Sequence, residues 1–98
     1  YSGEGGPARQ ALFNTPTRLA LVGSLVLVSD RGNRRVRSIA LSGGLVATFL
    51  GTGDSALGTD QRDAAATAAG RPEGLATSGP HVYSADAGHH VIRRILVP

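Results

Sequence analysis

Residues 30–39 read Asp-Arg-Gly-Asn-Arg-Arg-Val-Arg-Ser-Ile, and residues 86–95 read Asp-Ala-Gly-His-His-Val-Ile-Arg-Arg-Ile. The second stretch stands 56 positions after the first; the two share the Asp, the Gly, one Arg and the final Ile, with Val36 opposite Ile92. The same shift holds outside the two stretches. It sets Pro16 on Pro72, Leu19 on Leu75, Ala20 on Ala76, Gly23 on Gly79 and Val26 on Val82, and upstream it sets Ala8 on Ala64. Coincidences at one offset without a gap define an internal repeat, so the chain is two copies of one structural unit.

Inside each copy the apolar runs are short, rich in Leu and Val, and bounded by turn residues, which predicts strands. The first repeat is expected to hold strands over 18–22, 25–29, 36–41 and 45–50, and the second over 75–77, 82–85 and 91–97. Connections such as Gly23-Ser24 and Ser42-Gly43-Gly44 are too tight for anything but antiparallel neighbours, which makes each unit a meander. The run Leu25-Val26-Leu27-Val28 is apolar at every position, so both faces of that strand should be buried. A lone meander cannot bury both faces, whereas a sheet stacked between copies of itself can. A single seven-stranded sandwich is the plainer alternative; the strict repeat and the long inter-repeat segment argue against it.

The two quoted stretches resemble the signature of NHL repeats: an Asp, a Gly, an Asn or His, then a basic and apolar run. Gly5-Gly6-Pro7-Ala8, Asn14-Thr15-Pro16 and Pro72-Glu73-Gly74-Leu75-Ala76 are similar to the long-linker variety of that family. The resemblance covers nearly the whole chain. It implies an all-β fold, a β-propeller built of antiparallel four-stranded blades in a closed ring, commonly of six. On that reading residues 1–50 are a leading linker and blade 1, 51–71 an inter-blade linker, and 72–98 blade 2 without its outer strand, about 1.75 blades in all. That missing strand would begin near position 101. The opening Tyr1-Ser2-Gly3-Glu4, with neither an initiator Met nor a signal pattern, reads as the interior of a longer or processed protein.

The signature residues are expected to serve the turn. Asp30 and Asp86 can accept backbone N–H bonds where a strand ends. Gly32 and Gly88 are expected to supply backbone freedom, and Asn33 and His89 to exchange because both tolerate left-handed conformations. In the linker, Asp63 is expected to cap a helical turn over the alanines that Gly70 ends, and Pro7 suits the start of a short helix before Ala8.

Composition narrows function only weakly. Among 98 residues there is no Cys, and the ten basic side chains are all Arg, set among seven acidic ones for a net charge of +3. No apolar run approaches the roughly 20 residues that cross a bilayer; the longest, 19–28, is interrupted by Gly23 and Ser24. In a meander alternate turns share one end of the sheet. Arg31, Arg34 and Arg35, then His89 and His90, collect there with Asp54, Asp60, Arg62 and Asp63 of the linker, and this is the face expected to bind a partner.

A metal site would need His81, His89 and His90, perhaps with Asp86, but a strand separates the first His from the others and two ligands fall short of a zinc set. Ser29 with Asp30, or Ser84 with Asp86 and His89, contains triad residue types without a nucleophile-elbow context. RNA binding would use Arg31, Arg34, Arg35 and Arg37, yet Tyr1, Phe13, Phe49 and Tyr83 are the only aromatic side chains for base stacking. The expected function is a non-catalytic scaffold for protein–protein interaction or assembly. Its partners would be further blades, copies of itself or a larger assembly, with no cofactor, metal or catalytic residue assigned. The alternatives are part of a propeller lyase or hydrolase whose site is shared among several blades and, third, an RNA-binding module.

Overall fold

The computed structural model describes residues 5–51 and 69–97, in which the regular structure is strand apart from two 3-10 turns, Ala8–Gln10 and Arg31–Asn33. The strands are β1 (Pro16–Val22), β2 (Leu25–Asp30), β3 (Arg35–Ala40), β4 (Val46–Leu50), β5 (Pro72–Ser78), β6 (His81–Asp86) and β7 (Val91–Leu96). They form two antiparallel sheets of four and three strands in the orders β1-β2-β3-β4 and β5-β6-β7. The first hairpin of each sheet turns through two residues, Gly23-Ser24 and Gly79-Pro80. The two glycines, counterparts in the repeat, both take a left-handed φ, 54° and 56°, which a side chain would resist. The expected helical turn beginning at Asp63 lies outside the described residues.

The sheets stack face to face. Because side chains alternate along a strand, Leu25, Leu27 and Ser29 of β2 share a face, and the register continues it through Val36 and Leu50. On the second sheet Val82 stands opposite Ile95, with Leu75 on the same side. These surfaces meet in one core of Val22, Leu27, Val36, Leu50, Ala69 and Val82, flanked by Leu25, Phe49, Leu75, Ile95 and Val97. The repeat relation exposes a handedness in this contact. The counterparts of Leu25 and Leu27 are His81 and Tyr83, which lie on the opposite side of β6 from Val82. The front of one repeat therefore packs on the back of the next. Along the seam, Thr17 Oγ1 donates to the Glu73 carbonyl at 2.9 Å, a bond between the same position of the two repeats, 56 residues apart.

The segment before β1 folds back over the first sheet. Gly5 N–H donates to the Val46 carbonyl, Val46 N–H to that of Gly6 and Ala8 N–H to that of Gly44, so residues 5–8 pair with the first residue of β4 and the turn before it. After its 3-10 turn the segment crosses the back of β3. There the Leu12 carbonyl accepts a 2.8 Å bond from Arg37, and the Phe13 ring lies 4.6 Å from the Arg37 guanidinium carbon. The segment thus covers the β3–β4 half of the first sheet's outer face, and Arg37, one of the arginines that RNA binding would use, is fully buried. Burying a guanidinium requires partners for its charge, and the ion pair to Asp30 at 3.3 Å, the carbonyl and the ring supply them. What stays uncovered on that face is apolar and near β1, with Leu19 and Leu21 more than 60% exposed. On the far side of the second sheet Ile92 and Leu96 are equally open. No helix among the described residues is long and apolar enough to cross a membrane.

Candidate functional site

Each sheet ends its second strand on a buried aspartate that ties down the following turn. Asp30 accepts the Asn14 N–H at 2.7 Å on one oxygen, and the Asn33 Nδ2 at 2.8 Å and the Arg37 guanidinium on the other. Asp86 accepts three backbone N–H groups on Oδ1, from Arg71, Gly88 and His89, while its Oδ2 meets His89 Nδ1 at 2.8 Å. The bonds from Gly88 and His89 make an Asx-type turn. Burial by itself pushes the Asp86 carboxyl up, but the Arg71 N–H, the His89 ring and the His89 N–H outweigh it and hold the pKa below its usual 3.8.

The reason for the Asn–His exchange differs from the expected one. Asn33 and His89 are not left-handed; the residues that follow them are, Arg34 at φ 54° and His90 at φ 58°. What Asn33 and His89 share is a side-chain nitrogen at the δ position placed 2.8 Å from the aspartate. Nor do Gly32 and Gly88 take a positive φ. Gly32 is required for clearance, because a Cβ there would overlap the Asn14 side chain and stand 2.7 Å from the Asn14 carbonyl, which accepts the Gly32 N–H. Gly88 has ordinary room, its nearest neighbours being 3.4 and 3.5 Å from a built Cβ.

The residues expected to bind a partner separate into distinct settings. Arg31 crosses the seam to Glu73, with Nε 2.9 Å from the carboxylate. Arg35 donates to the Asn33 carbonyl. Arg34 and His89, however, line one cleft with Gly70, Arg71 and Gly88, where the turn of the first sheet faces that of the second. His90 is exposed and occupies in the second repeat the place of Arg34 in the first. Asp54, Asp60, Arg62 and Asp63 lie outside the described residues. Arg71 was missed by sequence reasoning; it falls at the end of a polar linker, and only its position before Pro72, the first residue of an inner strand, hinted at a place beside the turn.

Ser29 and Ser84 are buried, and their hydroxyls find no hydrogen-bond partner among the described residues. Both belong to the surfaces that face each other between the sheets. Among the described residues no three His, Cys, Asp or Glu side chains group together to hold a metal ion. The geometry defines an all-β double sheet with a basic cleft at its seam. No protein-family model matches the chain, and no curated protein matches it.

Proposed function

We propose that the chain is a two-repeat section of an NHL-type β-propeller, acting as a non-catalytic scaffold for protein–protein interaction or assembly. The observation that carries this reading is the front-on-back stacking of the sheets through positions 56 residues apart, seen in the Thr17–Glu73 bond. A contact of that kind uses a different surface on each partner, so it leaves one unused copy of each surface at the two ends. The uncovered back of the first sheet carries Leu19 and Leu21, and the uncovered front of the second carries Ile92 and Leu96. Each is the counterpart of a surface already packed inside the chain. Leaving such side chains in water forfeits about 1.5–3 kcal/mol apiece, a large share of the stability of a small domain.

Sedimentation equilibrium of the isolated chain tests the proposal. The expected result is concentration-dependent association, reduced by Leu19→Glu on one surface and by Ile92→Glu on the other. A compact, stable monomer at all concentrations would show that the sheets are self-sufficient and would sink the propeller reading.

A further inference from the structure

We propose that the seam cleft lined by Arg34, Arg71 and His89 is a binding site for a phosphate monoester. The inference concerns one cleft between two described sheets and does not depend on how many repeats a complete assembly holds. Three side chains able to carry positive charge converge there from two turns and the start of β5, with Gly70 and Gly88 leaving the walls open. Among the described residues, the acidic groups within reach are already engaged. Asp86 is buried, with Oδ1 filled by three N–H donors and Oδ2 by the His89 ring. Glu73 is shared between Arg31 at 2.9 Å and Arg71 at 3.5 Å. Arg34 has no ion pair among the described residues.

The backbone explains how Arg34 reaches the cleft. Arg34 holds a left-handed conformation, φ 54° and ψ 43°, where any side chain with a Cβ is disfavoured and glycine or asparagine is the easy choice. A glycine stands two residues earlier in the same turn, where the backbone angle does not call for it. His90, the counterpart of Arg34 in the second turn, is left-handed as well, so the conformation belongs to the turn of either repeat, and at Arg34 it is what carries a guanidinium to the cleft.

The donor set selects the ligand class. A guanidinium presents a planar fork that matches two oxygens of a phosphate, and two such forks with an imidazole suit a group with three free oxygens and nearly two negative charges. A carboxylate has only two oxygens and one charge, enough for one fork. His89 uses Nδ1–H on Asp86, so the donor it can offer the ligand is the Nε2–H of the protonated ring. Arg71, half-exposed and only loosely paired with Glu73, can turn to the phosphate at little cost.

The experiment is an NMR titration of the chain with inorganic phosphate, with acetate and a single-stranded oligonucleotide in parallel. Saturable shifts of the His89 ring and the Gly88 amide with phosphate are expected, with acetate at least tenfold weaker. Arg34→Gly removes the guanidinium while relieving the left-handed strain, so its Tm should hold or rise as phosphate affinity drops at least tenfold. His89→Asn keeps the bond to Asp86 but removes Nε2, and should weaken binding severalfold. The proposal fails if phosphate gives no saturable shift, if acetate binds as tightly, or if Arg34→Gly binds phosphate unchanged. Oligonucleotide binding tighter than phosphate, with steep salt dependence, would overturn it in favour of a nucleic-acid backbone.

Discussion

The Nδ2 of Asn33 and the Nδ1 of His89 are each three bonds from their Cα, so an amide and an imidazole deliver a donor to the same place beside a buried aspartate. That equivalence was readable in the sequence as an exchange at one repeat position, though its cause was not. Side-chain geometry explains it where backbone tolerance was expected to. The glycines carry a similar lesson. Gly32 and Gly88 align in the repeat and invite one explanation, yet only Gly32 is pressed by another segment, Asn14, eighteen residues upstream. Gly32→Ala should therefore cost about 1–3 kcal/mol, the usual penalty for forcing atoms into filled space, while Gly88→Ala should change stability by under about 0.5 kcal/mol. Urea unfolding of the two variants checks this, and equal losses would contradict the clearance argument.

At the scale of the element, the strands were legible because a period of two and tight glycine turns belong to local sequence. All seven expected strands occur, each with at least one end shifted by a residue or more; β5 is the extreme, running over 72–78 where 75–77 was expected. The turn after β6 is where a pH effect should appear. Asp86 is held ionised by the N–H groups and the ring around it, so its folded pKa lies below that of the unfolded chain. The resulting stabilisation is complete above the unfolded value, near 3.8, and is lost as the pH falls through the folded value, because the unfolded chain takes up the proton first. Asp86→Asn should cost about 1–3 kcal/mol at neutral pH, as expected when charge-assisted bonds are weakened in a buried setting. It should also flatten the loss of stability between neutral pH and pH 3. Denaturation midpoints across that range decide the matter, and an unchanged slope would mean that Asp86 is not the titrating group. The cleft was only half legible. Arg34 and His89 belong to recognisable turns, but Arg71 reaches them across a seam whose geometry depends on how two repeats stack.

At the scale of the whole molecule, the main core lies between the sheets, while Val28 and Val46 are buried on the other face of the first. Leu27, fully buried in that core, is the side chain whose loss should be felt on both sides. Leu27→Ala should cost about 2–5 kcal/mol, and hydrogen exchange should quicken in β5–β7 as well as in β1–β4. Faster exchange confined to the first sheet would show two independent units. The burial of Arg37 was illegible for a related reason: it depends on a segment 25 residues upstream folding back across the sheet. That fold-back has a kinetic meaning. The hairpins of the first sheet close through short loops and can form early, whereas joining residues 5–8 to residues 44–46 requires nearly a whole repeat to be in place. Until that late step the leading end of β4 at Val46 lacks its outer partner, so the interval before the clasp closes is when a newly made chain is most exposed there to pairing with the wrong strand.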